Sequence, residues 1–430
     1  MKAQTQRVLM STVTTGALLL SLTSCGDGDS SNAGSDESVE LRVSWWGSAE
    51  RTELTNQALE AFEAETGYSV SGEAADFSGY FDRLATSVAG GDAPDVFTLG
   101  GSYPAEYANR GALLDLASVS ESLDLSLIDD TALQNGMADQ SQYALSTGSN
   151  ALAVLVNPSV FDSSGVDAPD PETWTWDDYH EAATAVSAAG SGQSYGSDNI
   201  ITHDTVDAFA RQNGETLYTE DGSIGVTEET LTELFAIAQD LTAEGGTPDA
   251  SVLNEQQSVS PEQTLLATGD AAMMITWSNT LSTLADASSE ELELWPLPSE
   301  AETPGVWQQS SQYYAISADS ENPEAAAELL DFLVNTEEAV EILGLDRGVP
   351  DNPEMREHIA PTLDETGRAE VDYIELVSSR DTADRFIGPA GSTTVEDTTV
   401  RIADSLLREL LTPQEAASQW LEETRSAVGN

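Results

Sequence analysis

The order of apolar runs between residues 39 and 99 constrains the fold more than any other feature. Residues 39–46 read as a buried first strand. Residues 50–66 read as a helix, with Leu54, Ala58, Ala61 and Phe62 on one face and Gly67 as its stop. A second strand at 68–74, a second helix at 81–89 and a third strand at 95–99 follow. Strands separated by helices cannot pair as hairpins. They pair in parallel through crossovers, in a sheet covered by helices on its faces.

The chain then turns helical and later returns to strands. A strand at 151–156 runs into Asn157-Pro158, and Thr175 caps a helix over 176–189 with Asp178 at its third position. Helices at 204–214 and 227–244 flank a turn or hairpin at 216–226 that carries Asp221-Gly222. A short helix end at 263–268, a strand at 271–277 and a helix at 279–286 come next, then strands at 292–297 and 313–317. Helices follow at 322–334 and 336–343, and Thr412-Pro413-Gln414-Glu415 opens the last one. Late strands can complete the first sheet from a distance. The expected architecture is α/β with two lobes, each a mixed sheet flanked by helices, joined by several crossovers. Residues 39–150 plus about 278–318 would form lobe 1, and 151–277 plus about 319–430 lobe 2. A cleft between such lobes is the natural ligand site.

Cys25 is the sole cysteine, so no intramolecular disulfide can form. It follows Lys2, Arg7 and an uncharged apolar stretch over 8–22 that is too short for a stable membrane span. Leu22-Thr23-Ser24-Cys25 resembles the bacterial lipoprotein box, in which the thiol receives a diacylglyceryl group and becomes the new N-terminus. On that resemblance residues 1–24 are a signal peptide, residues 25–38 a flexible Gly/Ser/Asp-rich tether, and Cys25 the lipid anchor at the outer face of the cell membrane.

The 76 acidic against 15 basic residues give a net charge of −61. Nucleic acid is excluded as a partner by that sign. Lys2 is the only lysine, and the carboxylates are spread along the whole chain. Such a surface resembles proteins of salt-rich habitats, where counterions screen self-repulsion. The other reading of the charge is attraction of a cationic solute such as a polyamine. With one cysteine and only His180, His203 and His358, no soft-metal site is expected, nor any cofactor. The sequence carries no H-E-x-x-H and no P-loop signature, so an enzyme is not expected.

Several segments together resemble extracellular solute-binding protein family 1, the maltose-binding-type sugar-binding lipoproteins of ABC importers. They are the box at Cys25, Val43-Ser44-Trp45-Trp46-Gly47, Tyr80-Phe81-Asp82-Arg83-Leu84 and Gly90-Gly91-Asp92-Ala93-Pro94-Asp95. Asn157-Pro158-Ser159-Val160-Phe161, Thr175-Trp176-Asp177-Asp178, Gly269-Asp270-Ala271-Ala272, Trp277-Ser278-Asn279 and Gly348-Val349-Pro350 complete the set. The resemblance implies the type II periplasmic-binding fold and a monomer that delivers a carbohydrate to an ABC permease.

A sugar offers a C–H face to an aromatic ring and hydroxyls to polar groups around it. Trp45 and Trp46 end the first strand, so one is expected in the core and one toward the cleft. Asp76, Tyr80, Ser102 and Tyr103 follow the second and third strands as rim candidates. Trp277 ends a strand, and the resemblance gives its Trp-Ser-Asn segment a sugar-stacking role. Trp307 lies in a polar loop and needs a cover. Asn150 stands where some relatives have a sugar-binding carboxylate. Arg347 is read either as a grip on two hydroxyls or as a structural ion pair. Trp176 and Trp420 read as core, Asp95 as a loop-fixing carboxylate, and Trp174 and Trp295 find no place.

The charge reading predicts that melting temperature rises steadily as sodium chloride goes from about 0.1 M to about 1 M, over which the screening length falls from roughly 10 Å to 3 Å. A flat thermal profile across that range removes self-repulsion as a determinant of stability.

Overall fold

The computed structural model describes residues 39–429, apart from 102, 139, 191–193, 257–258, 302–303, 381–387 and 390. The signal peptide, Cys25 and tether expectations, and Ser102, lie outside the described residues. Among the described residues no helix is long and apolar enough to cross a membrane.

The strands in chain order are β1 (Glu40–Trp46), β2 (Ser69–Ala75), β3 (Val96–Leu99), β4 (Met137–Ala138), β5 (Ser141–Gln142), β6 (Leu145–Ser146) and β7 (Ser149–Asn150). They continue as β8 (Leu152–Val156), β9 (Tyr195–Ser197), β10 (Ala271–Trp277), β11 (Glu293–Trp295), β12 (Gln309–Ser310) and β13 (Tyr313–Ile316). The first sheet has the order β2-β1-β3-β13-β6, and the second β11-β8-β10-β9. As the early pattern implies, β1 lies parallel between β2 and β3. The helix Ala49–Thr66 covers one face, capped by the Ser48 side chain and stopped by Gly67 at φ 77°. Its Ala58, Leu59 and Phe62 join Leu41 and Val43 in the core of the first lobe. The capping box at Thr175/Asp178 and that at Thr412/Glu415 both form.

Two expected lobe boundaries are corrected. The strand expected at 292–297 in lobe 1 is β11, which pairs antiparallel with β8 of the second sheet, Leu294 opposite Leu155. The helices Pro323–Asn335 and Glu337–Leu343, expected in lobe 2, pack on the first sheet. There Ala326, Leu329, Leu330 and Leu333 share a cluster with Leu41 and Phe62. The reason is proximity: β13 of the first sheet leads straight into them, and their apolar faces bury where the chain already is.

Among the described residues the chain passes between the two lobes three times, at 146–152, 295–313 and 343–365. The passes are hydrogen-bonded to each other. Asn150 and Ser149 of β7 lie opposite Gln309 and Ser310 of β12. On its other side Ser149 bridges to Val349, with Ser149 N–H donating to the Val349 carbonyl at 2.8 Å and Val349 N–H returning at 2.9 Å. The ribbon is tight: a side chain on Gly348, at φ +97°, would place its Cβ 2.6 Å from Ser311 Oγ and 2.8 Å from the Gly148 carbonyl carbon. Gly348→Ala should therefore destabilise by at least about 2 kcal/mol, from left-handed backbone strain plus overpacking, read as a lower denaturation midpoint with an unchanged m-value.

Candidate functional site

Strand directions decide what faces the ribbon. In the first sheet β1, β2 and β3 are parallel, and β13 starts at Tyr313 opposite the end of β3 at Leu99. Their carboxyl ends, with Trp46-Gly47, Asp76 and Gly100, therefore share the edge from which the crossovers leave. In the second sheet β8 begins at Leu152 opposite Trp277, the last residue of β10, and β9 runs parallel to β10. So the carboxyl ends of β9 and β10 also point to the ribbon. Two carboxyl edges facing one connecting ribbon is the place where open α/β sheets take ligands.

On the first-sheet edge Trp45 turns inward. It is 1% exposed and packs with Val43, Phe62 and Leu330, its Nε1 unpartnered among the described residues. Trp46, on the opposite strand face, sits 5.2 Å from the rings of both Tyr80 and Phe81. The alternation expected of a strand thus puts Trp45 in the core, correcting it as a ligand candidate. Tyr80 is corrected too. It is 3% exposed, its hydroxyl donating to the Thr98 carbonyl at 2.9 Å and accepting from the Thr98 amide at 3.1 Å. Burial pushes its phenol pKa up, and the bonds with Ser44 and Thr98 oppose that rise. The helix over residues 77–90 begins four residues earlier than expected, at the Asp76 cap, and this phase turns Tyr80 onto the sheet. Asp76 accepts from the Gly79 amide at 3.1 Å as N-cap. What remains half-exposed at this edge is Phe81 stacked on Tyr103, centroids 4.1 Å apart and planes within 8°. The sequence pattern does not single out Phe81, because its place beside Trp46 depends on the helix phase.

On the second-sheet edge half-buried Trp277 meets buried Trp307 edge to face, 5.9 Å between centroids and 76° between planes. Trp307 Nε1 donates to Gln309 Oε1 at 3.1 Å, and the Arg211 guanidinium lies 5.6 Å from the Trp307 centroid. The cover that the Trp307 ring needs is therefore Trp277 and Arg211. Arg211, buried and donating through Nε to the Gly305 carbonyl at 3.1 Å, has no local signal in the sequence. Asp198, just past the carboxyl end of β9, is another residue that the sequence pattern does not reveal; burial raises its carboxyl pKa and the Asn199 amide opposes the rise.

The ribbon itself is amide-rich. Asn150 Nδ2 donates to Ser311 Oγ at 3.0 Å, while buried Asn150 Oδ1 has no hydrogen-bond partner among the described residues. Arg347 is 2% exposed, donating to Thr55 Oγ1 at 2.5 Å and Gln312 Oε1 at 3.4 Å and lying 5.6 Å from the Tyr314 ring centroid. These bonds fasten the third crossover to the first lobe, the structural side of the two readings.

The residues read as structure hold. Trp176 and Trp420 are core, with Trp420 Nε1 donating to Thr399 Oγ1 at 2.8 Å. Asp95 accepts from the Arg42 amide at 2.9 Å and the Ser320 hydroxyl at 2.5 Å, fixing its loop. Trp174 and Trp295, which the sequence pattern leaves without a place, pack edge to face 5.3 Å apart in the second core.

Residues 48–340 match the bacterial extracellular solute-binding protein family. The chain belongs to that family, a class of substrate-binding transport proteins. The galactooligosaccharide-binding protein of Bacillus subtilis is 26% identical over 327 residues, 74% of each chain. An extracellular solute-binding protein family 1 structure from Alicyclobacillus acidocaldarius superposes with TM-score 0.75 at 25% identity, covering 91% of this chain and 99% of that one. A periplasmic oligogalacturonide binding protein from Yersinia enterocolitica, in complex with saturated digalacturonic acid, shares the fold at TM-score 0.77 and 22% identity, with 91% and 99% covered.

One sequence coincidence is resolved by the fold. Gly192-Gln193-Ser194-Tyr195-Gly196 matches the letters of a hydrolase nucleophile elbow. That elbow needs a strand before the serine and a helix after it. Here the order is reversed: helix Trp176–Ala189, then Ser194, then β9.

Placing Tyr80 in the first-lobe core has a direct test. Tyr80→Phe leaves the Thr98 amide and carbonyl without their partner and should cost about 1–3 kcal/mol, measured by denaturant unfolding, with no change in ligand affinity.

Proposed function

We propose that this protein is a lipid-anchored receptor that captures a carbohydrate, an oligosaccharide in particular, between its two lobes and hands it to an ABC permease. The observation that carries the reading is the half-buried Trp277 ring, backed edge to face by buried Trp307, beside the Gln309 and Asn150 amides, at the carboxyl edge of β10 and on the ribbon that joins the sheets. Ring faces take sugar C–H surfaces, and amides offer both donor and acceptor to vicinal hydroxyls. The half-exposed Phe81–Tyr103 stack, backed by the buried Trp46 ring, is the complementary surface from the first lobe. Closure of one lobe on the other would be a hinge motion, stabilised by a ligand that touches both. The sugars named for two relatives, a galactooligosaccharide and digalacturonic acid, belong to the same chemical class.

Anchoring falls to Cys25 through the lipoprotein box, with residues 26–38 as tether and the receptor acting as a monomer outside the membrane. The cationic-solute alternative needs several free carboxylates at the site. Asp76 is engaged as a helix cap, which leaves Asp198 as the acidic group at these strand ends. An enzymatic role has no support in the site, which offers stacking surfaces rather than an activated nucleophile.

A thermal-shift screen in high salt against mono-, di- and oligosaccharides and polyamines tests this. A ligand at 100 times its dissociation constant adds about 2.7 kcal/mol. One sugar class should raise the melting temperature, and Trp277→Ala should abolish that shift, scored against the variant's own unliganded transition, which is lowered by the loss of packing on Trp307. A shift with polyamines alone overturns the carbohydrate reading.

A further inference from the structure

The ribbon has two faces. Because Gln309 pairs with Asn150 and Ser310 with Ser149, the first pair shares one face and the second pair the other. Val349, bridged to Ser149, belongs with the second face, and Asp351 follows it by two residues. Asp351 is 4% exposed, and neither of its carboxyl oxygens has a hydrogen-bond partner among the described residues. Ser149 Oγ is likewise unpartnered. Beside them lies a cavity of about 20 Å³, lined by Ser146, Arg347, Gly348 and Asp351 together with the apolar Leu333 and Val340. That is room for one water molecule.

The charged neighbours are occupied elsewhere. Arg356 donates to Asp129 Oδ2 at 3.1 Å and to the Pro350 carbonyl at 2.8 Å. The Asp129 amide donates to the Asp351 carbonyl oxygen at 3.0 Å, so Asp129 is held close without neutralising it. Arg347, on the same crossover, is committed to Thr55 and Gln312. The helices Pro323–Asn335 and Glu337–Leu343 present only apolar side chains to the cavity. Burial pushes the Asp351 carboxyl up to about 6; the Ser146 and Ser149 hydroxyls oppose the rise, Asp129 adds to it and Arg356 lessens it.

We propose that Asp351 is a proton switch in the hinge. With a proton from solvent on one oxygen, Asp351 donates to one serine hydroxyl of the first crossover while its other oxygen accepts from the second, which locks the Ser149–Val349 pairing. Ionised, it carries a buried charge that the two hydroxyls and Arg356 offset only in part, and that charge draws water into the cavity and loosens the third crossover. The folded-state value lies above the ordinary carboxylate value of 3.8. Its stabilising contribution is therefore complete below that ordinary value and is lost as pH rises through about 6. Hinge excursions, and with them the balance of open and closed receptor, should become more frequent across that window.

Amide hydrogen exchange of the full chain tests this at Ser149 and Val349, whose N–H groups bond each other's carbonyls. After correction for intrinsic chemical exchange, protection should fall about tenfold or more between roughly pH 5 and 7.5, since each step of one in pH changes the ratio of ionised to protonated carboxyl about tenfold. Asp351→Asn, which keeps the shape and removes the titration, should give protection independent of pH. A flat wild-type profile, or the same fall in Asp351→Asn, overturns the proposal. Asp351→Ser serves if the amide variant does not fold. The carbon-13 carboxyl titration of Asp351 in the wild-type chain is a further check that needs no variant, because its midpoint must coincide with that of the exchange transition.

Discussion

The structure depends on the backbone pairing of three crossovers. The Asn150/Gln309 and Ser149/Ser310 pairs and the Ser149–Val349 bridge tie together segments far apart in sequence. Each lobe has its own apolar cluster, one built around β1, β3 and β13 and the other around β8 and β10. Neither cluster fixes the other. Backbone hydrogen bonds between short extended segments can, since they set direction and register while leaving few side chains to repack. The closeness of Gly148 to Gly348, where an added Cβ on Gly148 would lie 2.7 Å from the Arg347 carbonyl oxygen, shows how little room that pairing leaves.

The same ribbon gathers much of the unsatisfied polar chemistry. Among the described residues, buried side-chain atoms without hydrogen-bond partners occur on the crossovers at Ser149, Asn150, Gln308, Ser310, Arg347 and Asp351, and elsewhere at Trp45, Asn157 and His180. Unpaired buried polar atoms are costly, and their concentration in one place marks a segment shaped by function rather than by core stability. One ribbon face carries Asn150 and Gln309 beside Trp307, and the other carries Ser149 and Ser310 toward Asp351. Period-two alternation therefore puts the proposed binding and control elements back to back.

Charge acts on a different scale. Several arginines among the described residues sit in surface ion pairs, such as Arg42 with Asp92 at 3.0 Å and Arg408 with Asp404 at 2.8 Å. Exposed pairs of this kind contribute little. With 76 acidic against 15 basic residues, such pairs leave most of the carboxylates without a cationic partner.

Much of the architecture was legible in the chain alone. Period and punctuation located β1, β10, the helix Trp176–Ala189 and both capping boxes, because these depend on residues a few positions apart. The order of elements implied the parallel first sheet, and the family segments implied the two-lobed fold. The short strands β6, β7 and β12 were not legible, since two residues carry no periodicity. Membership of β11 in the second sheet and of Pro323–Asn335 in the first lobe was also beyond local reading, because pairing partners lie far off in sequence. The fates of Trp45, Tyr80 and Arg347 were decided by the tertiary structure for the same reason. A ring or guanidinium near a sheet edge is equally suited to core or cleft, and only the packing of Gly72, Thr98 and Thr55 against them selects the core.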